Sequence, residues 1–399
     1  MTRRSGIGQD ELRRVNLSAL LSRVHLSGPT TRAALTTELG LNRSTIGDLT
    51  VQLEALGLVR DERPSRTDGT GRPSHVVVPQ EEVSVLAATV DVDRMGAAVV
   101  GLGGVILGRL ERRHATGGHN VVAVADELAS MCDELLASIP GRCLGMGVSV
   151  PGVVRADDGM VRFAPNLGWV DAPITAMLAE RVPLSVVTAN DADLGVLAEH
   201  LRGAAVGCDD VAYITGGVGI GGGFIVGGSP LRGAGGYAGE IGHLPVDTAA
   251  GIRCRCGARG CWETKVGENH LLEAVGRPPG GGPAAVDAVI RDANAGDEAA
   301  AAAVREFARW AGIGLGAIIN LLNPAKIVVG GLLAALWESF SPEVSAAMDG
   351  VSLEAPGSKA QIVAAGLGPD SSLIGAAEIA FSALLADPLS YAELLTTAP

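Results

Sequence analysis

The sequence predicts an α/β protein in two parts, a small helical module closed by a β-hairpin and a larger body of alternating strands and helices. Three observations carry that expectation. Through residue 56 the apolar residues recur at helical spacing, whereas beyond residue 81 the composition turns to valine-rich strands, glycine turns and alanine-rich helices. The first 80 residues hold eleven arginines against eight carboxylates, a balance of +3 inside a 399-residue chain of net charge −13. Four soft or borderline metal ligands, His243, Cys254, Cys256 and Cys261, fall close together in the second half. A chain of this length holds two or three domains, and the composition shift divides it into residues 1–80 and 81–399.

The elements follow in order. Leu12, Val15, Leu20, Leu21 and Val24 give a helix over residues 11–26, stopped by Ser27-Gly28-Pro29. A second helix is capped by Thr30 or Thr31 and runs through Leu35 and Leu39 to Gly40. A third carries Ile46, Leu49, Leu53 and Leu56 and closes at Gly57. Leu58-Val59 and residues 75–78 are short strands joined by the polar stretch 63–73, which makes three helices and a hairpin a winged helix-turn-helix. In the body, strands are expected at 86–91, 97–102, 105–110, 144–150, 185–189, 210–214, 222–226, 326–329 and 361–364, and helices at 121–139, 192–201, 298–322, 333–348 and 371–385. Residues 277–283, rich in proline and glycine, read as a loop.

No apolar segment follows the basic start Met1-Thr2-Arg3-Arg4, and no run is long and apolar enough for a membrane span, so a cytoplasmic protein without membrane attachment is expected. Six cysteines in so long a chain do not suggest a secreted disulfide scaffold, and Cys132, Cys143 and Cys208 lie scattered as buried thiols would.

One imidazole and three thiolates fill the tetrahedral shell of Zn²⁺ and leave no open position for a reactive water, so the expected metal is structural. Gly257 and Gly260 suit the turns between the last two thiols, where positive φ is easy only for glycine. Arg253, Arg255 and Arg259 are expected to offset the thiolate charge. A disulfide or unrelated buried cysteines is the bland alternative.

The third helix begins with Asn42, Arg43, Ser44 and Thr45, at the end that enters the major groove in this motif. Arginine reads guanine and asparagine reads adenine through paired hydrogen bonds, while Ser44 and Thr45 suit phosphate or base contacts. Arg72, between Gly71 and Pro73, offers a flat cation for a minor groove, or a cap for its own turn.

Several motifs in this order resemble the ROK proteins (repressors, open reading frames and sugar kinases), specifically their DNA-binding regulators. They are Glu240-Ile241-Gly242-His243, the run from Cys254 to Glu263, Pro165-Asn166-Leu167-Gly168-Trp169, Asn190-Asp191-Ala192 and the glycine tract 217–223. The resemblance covers nearly the whole chain and implies a two-lobed, actin-like (ribonuclease H-like) sugar kinase fold behind the winged module. One lobe would span residues 81–191 plus a C-terminal helix at 371–388, the other residues 192–370. It implies a cleft that binds a hexose or derivative through Asn166, Asn190, Asp191, Glu240, His243 and Glu263. Carboxylates and amides suit vicinal hydroxyls, and a histidine bound to zinc through one nitrogen holds the other in place for a hydroxyl.

In the kinases of this family Asp191 would be the general base. The first phosphate loop there reads Asp-x-Gly-Gly-Thr, against Asp91-Val92-Asp93-Arg94-Met95 here, and the second loop has Val218 where the family has threonine. Backbone N–H groups can cradle phosphates only where side chains do not block approach, and Asp93 would repel a triphosphate. The chain is therefore expected to be no enzyme but a sugar-responsive regulator, most simply a repressor. Its partners are operator DNA and a monosaccharide or derivative, and it is expected to act as a homodimer or homotetramer. A sugar kinase carrying a DNA-binding module is the competing reading, and a zinc-dependent scaffold without DNA binding a third.

Overall fold

A computed structural model describes residues 8–63, 75–114, 120–353 and 360–391. Arg72 lies outside the described residues.

The first part contains α1 (Gln9–Ser27), β1 (Thr30–Thr31), α2 (Arg32–Leu39), α3 (Arg43–Ala55), β2 (Val59–Glu62) and β3 (Val76–Pro79). The helix starts have local causes. The Thr31 hydroxyl accepts the Ala34 N–H at 3.1 Å, and Asn42 Oδ1 accepts the Thr45 N–H at 2.8 Å. The hairpin gains a third strand that periodicity does not reveal, since β1 pairs with β3. Asp61 binds both Arg32, at 2.8 Å, and His75, at 2.7 Å, and so fastens the start of α2 to the hairpin.

The next elements are β4 (Val83–Val90), β5 (Arg94–Gly101), β6 (Ile106–Arg113), α4 (Val121–Ser138), β7 (Arg142–Val150), β8 (Val153–Val154), β9 (Val161–Ala164), β10 (Trp169–Ala172), α5 (Ile174–Ala179) and β11 (Val186–Asn190). Then come α6 (Asp191–Arg202), β12 (Val211–Gly216), β13 (Ile220–Val226), β14 (Ser229–Pro230), α7 (Glu263–Val266), α8 (Glu268–Ala274), α9 (Gly282–Asn294), α10 (Glu298–Leu322), β15 (Lys326–Gly331), α11 (Leu332–Asp349), β16 (Gln361–Ala364) and α12 (Ser371–Ala386).

Two five-stranded sheets result, ordered β11-β7-β4-β5-β6 and β14-β13-β12-β15-β16. In each, an antiparallel meander is followed by two strands added in parallel on the far side of its first strand. The same topology thus occurs twice. Strand β4 is buried on both faces, with Leu86, Ala88 and Val90 in the core under α4 and Val83, Val85 and Ala87 in the core under α12. The core under α12 also takes in Leu17, Leu20, Leu21 and Val24 of α1, so the N-terminal helices and the first sheet share one apolar cluster.

Some expected boundaries change. Residues 277–283 are not all loop, because α9 starts at Gly282 with Pro283 in its first turn, where proline's fixed φ favours a helix start. Strand β5 begins at Arg94 rather than residue 97, since pairing with β4 runs to Val90↔Met95. Helix α11 breaks its regular geometry at Phe340, two residues before Pro342, which lacks the N–H for the ladder. Among the described residues no helix is long and apolar enough to cross a membrane.

Candidate functional site

His243 ends a short 3₁₀ turn, Ile241–His243, and the three cysteines lie on a loop that folds back beneath it, tied by bridges Pro245↔Cys261 and Arg253↔Arg259. Gly257 (φ +95°) and Gly260 (φ +72°) make the two sharp turns, and at Gly260 a Cβ would lie 1.9 Å from the Asp247 carbonyl oxygen. Glycine is required there twice over. The ligand atoms of His243, Cys254, Cys256 and Cys261 all lie within 4.8 Å of one another. The edge between Cys256 Sγ and Cys261 Sγ is 3.7 Å, and that between Cys254 Sγ and His243 Nδ1 is 3.8 Å. Zn–S bonds of about 2.3 Å in a tetrahedron need sulfur–sulfur edges of about 3.8 Å, so the donor set fits zinc in kind and in size. The Cys256 N–H faces Cys254 Sγ at 3.5 Å, as suits a thiolate.

The expected sugar contacts gather around this loop. Glu240 Oε2 is 3.9 Å from His243 Nε2, while Glu263 Oε1 is 3.5 Å from His243 Nδ1, so the two ring nitrogens face different partners. Cys254 Sγ–H donates to Glu263 Oε1 at 2.8 Å. Burial, followed by that hydrogen bond, holds the thiol's pKa above its ordinary range. Asn166, in the turn after β9, accepts from Arg255 of the cysteine loop, so Arg255 links that loop to the β9–β10 turn.

Asn190 and Asp191 sit where β11 turns into α6. The Asn190 amide is engaged at both ends, its oxygen accepting the Ala192 and Asp193 N–H groups at 2.8 and 3.1 Å and its nitrogen donating to the Gly152 carbonyl at 2.8 Å. It holds the floor of the site in shape. Burial raises the Asp191 pKa to about 7, with the Asp91 charge as the next cause, so this carboxyl titrates near neutrality. Asp193 is pushed up to about 7 by burial and then by Glu240. Asp193 lines the pocket with Asn190, Gly152 and Glu240 and was missed in the sequence. Its one available signal is its place two residues beyond Asp191, in the first turn of the same helix.

The turn at 91–95 is closed. The His114 Nε2 lies 3.1 Å from the Asp91 carbonyl oxygen, and the His114 backbone N–H donates to the Asp93 carbonyl at 3.0 Å. Arg94 lies 3.5 Å from Asp91 and 3.7 Å from Glu111, and Met95 is buried in the core under α4. The glycine tract has a packing use of its own. A Cβ on Gly223 would come within 2.2 Å of the Ala192 carbonyl oxygen, so glycine there lets strand β13 meet the start of α6.

In the N-terminal part, Asn42 Oδ1 accepts from both the Thr45 N–H and the Ser44 hydroxyl, at 2.8 and 2.6 Å. Two of the expected DNA contacts are therefore employed in capping α3, Thr45 is half-buried, and Arg43 is exposed beside them.

The sequence profile of the ROK family matches residues 88–383. A xylose repressor of Bacillus spizizenii is 29% identical over 324 residues, covering 80% of this chain and 83% of its own. A glucokinase of Halalkalibacterium halodurans is 32% identical over 246 residues, 58% of this chain and 74% of its own. Among solved structures, a ROK family transcriptional regulator described as a homolog of the E. coli MLC protein superposes with a TM-score of 0.78 at 23% identity, over 96% of this chain and 98% of that one. A ROK glucokinase from Streptomyces griseus with glucose and AMPPNP gives a TM-score of 0.64 at 29% identity, over 75% of this chain and 99% of that one.

Proposed function

The chain belongs to the ROK family, whose profile spans most of its length, and from that premise we propose that it is a sugar-responsive repressor. Residues 1–80 form a winged helix-turn-helix that binds operator DNA. Residues 81–399 form a two-lobed, actin-like sugar-binding body, with the lobes at 81–191 plus 371–388 and at 192–370. Sugar in the cleft shifts the spacing of the DNA modules in a homodimer or homotetramer, because it prefers one lobe arrangement over another. Similarity to xylose repressors makes xylose the first ligand to try.

His243, Cys254, Cys256 and Cys261 would hold Zn²⁺, and the ion, when bound, supplies positive charge and rigidity. With the ion bound, Cys254 would be a thiolate and no longer a donor to Glu263, whose carboxylate would be free to accept sugar hydroxyls beside His243 Nε2 and Glu240. Asp191 and Asp193 accept from hydroxyls at the other wall, and Asn190 fixes the turn that carries them. Arg43 reads the major groove, with Asn42, Ser44 and Thr45 placing the helix start against phosphate, and Arg72 serving the wing.

The observation that carries this reading is the turn at Asp91–Met95, where Met95 is in the core and Arg94 pairs with Asp91, together with a cysteine loop of zinc dimensions. Retardation of DNA selected from a random library by the chain itself, with and without xylose and glucose, tests it. Sugar-dependent loss of the shifted band is expected, and no DNA binding at all would refute it.

One observation favours a second reading. A carboxyl at Asp191 that titrates near 7 suits a general base, and glucokinases are among the relatives, so residual sugar kinase activity is the runner-up. ADP release with a panel of sugars separates the two.

A further inference from the structure

We infer that the buried trio His25, Arg202 and Glu378 is the joint that carries occupancy of the cleft to the N-terminal module; this rests on the repressor reading above. The three residues come from α1, α6 and α12, which lie far apart in sequence and meet in one place. His25 is fully buried and Glu378 4% exposed. Arg202 Nε donates to Glu378 Oε1 at 2.6 Å, Nη1 to the Gly103 carbonyl at 3.1 Å, and Nη2 to the His25 carbonyl at 3.1 Å. The His25 ring accepts the Gly103 N–H at Nδ1, 3.0 Å away, which leaves Nε2 to face Glu378 at 3.1 Å and Arg202 at 2.7 Å.

Arg202 is the last residue of α6 and Asp191 is the first. A twelve-residue helix is about 18 Å long and moves as a rod, so its two ends cannot shift independently. One end forms a wall of the sugar pocket. The other grips the carbonyl of His25 in the final turn of α1, the helix on which α3 packs in the shared core.

The rod is also held near its C-terminal end. Glu199, fully buried, accepts from the Ala204, Gly366 and Leu367 N–H groups and the Ser371 hydroxyl, all between 2.7 and 2.9 Å. That fastens α6 to the beginning of α12, which supplies Glu378. A displacement at Asp191 therefore reaches α1 through charge-assisted bonds in a largely buried site, with the Arg202 side chain 12% exposed, where polar partners are costly to part.

The test is the ratio of operator affinities with and without saturating sugar, measured on the full zinc-loaded chain. The double variant Arg202→Met with Glu378→Met removes both buried charges at similar volume, an exchange that buried ion pairs often tolerate. Arg202→Lys, which keeps charge but loses the fork, is the second variant. In the unaltered chain the sugar should change operator affinity by roughly 5- to 150-fold, and in the double variant by less than about 2-fold, with sugar affinity itself kept. Sugar-induced change in amide exchange over α1 should disappear with it. Arg109→Ala, which breaks an exposed pair with Asp370 of 2.7 Å, should leave the ratio alone.

A folded variant, either of the two, whose ratio matches the unaltered chain overturns the inference and spares the repressor reading. An unaltered chain whose operator affinity ignores every sugar overturns both.

Discussion

The two turns Asp91–Met95 and Gly217–Gly223 depart unequally from the pattern that the resemblance to the family's kinases implies, and their surroundings differ as well. In the glycine tract, Gly223 brings β13 against the backbone of Ala192 at the start of α6, so that glycine serves packing whether or not a nucleotide is bound. The first turn has no such duty. Arg94 can pair with Asp91, and Met95 can fill the core under α4, without disturbing the strands on either side. Within the tract the need is uneven: Gly223 is required by close approach, whereas a Cβ on Gly217 would meet nothing within 4 Å.

The largest expected effect sharpens the contrast between the two halves of the cleft. Cys256→Ser or Cys261→Ser should strip zinc from the protein and abolish the sugar-dependent rise in melting temperature, removing about 2.7 kcal/mol of ligand stabilisation at a hundred times Kd. Zinc content by elemental analysis and melting with and without sugar check both parts. Retained sugar stabilisation in a zinc-free variant would detach the metal from the pocket.

Next, Gly223→Ala should cost about 1–3 kcal/mol in denaturant unfolding because its Cβ collides with backbone, and it should weaken sugar binding through α6. Gly217→Ala, where a Cβ meets nothing within 4 Å, should stay within about 0.5 kcal/mol. Equal costs at the two positions would break the packing argument.

Arg43→Ala should weaken specific operator binding by about 1–3 kcal/mol, the scale of a lost base contact, without altering sugar binding. A loss that is uniform over all DNA sequences would make Arg43 a phosphate contact instead.

A pH dependence follows from Asp191 and Asp193, both raised to about 7. Their folded pKa values exceed the ordinary carboxylate value, so the folded state binds more protons and the sugar-free chain loses stability as pH rises from about 4 to 7. Sugar hydroxyls donate to the ionised form, so stabilisation by sugar should be larger at pH 8 than at pH 6. Melting curves at both pH values, with Asp191→Asn and Asp193→Asn as flattened controls, read this directly.

Much of this was legible in the sequence because it rests on local periodicity or close spacing. The helices at α1, α2, α3, α4, α6, α10 and α12 follow from apolar spacing and caps, and the four metal ligands cluster in sequence as they do in space. The β8–β10 ribbon was not legible, since strands of two to four residues separated by turns carry too few alternations. The start of α9 was hidden because proline and glycine mark loops and helix beginnings alike. The roles of Arg255 and of His25, Arg202 and Glu378 could not be read at all, because their partners lie between 78 and 353 positions away.

The most direct test of the central claim is calorimetric titration of the zinc-loaded chain with sugar and, at saturating sugar, with Mg-ATP, alongside an ADP-release assay. Sugar binding with no heat from ATP and no turnover is the expected result. Tight ATP binding with steady ADP release would contradict it, since the turn at Asp91–Met95 would then be holding phosphates that its side chains are argued to exclude.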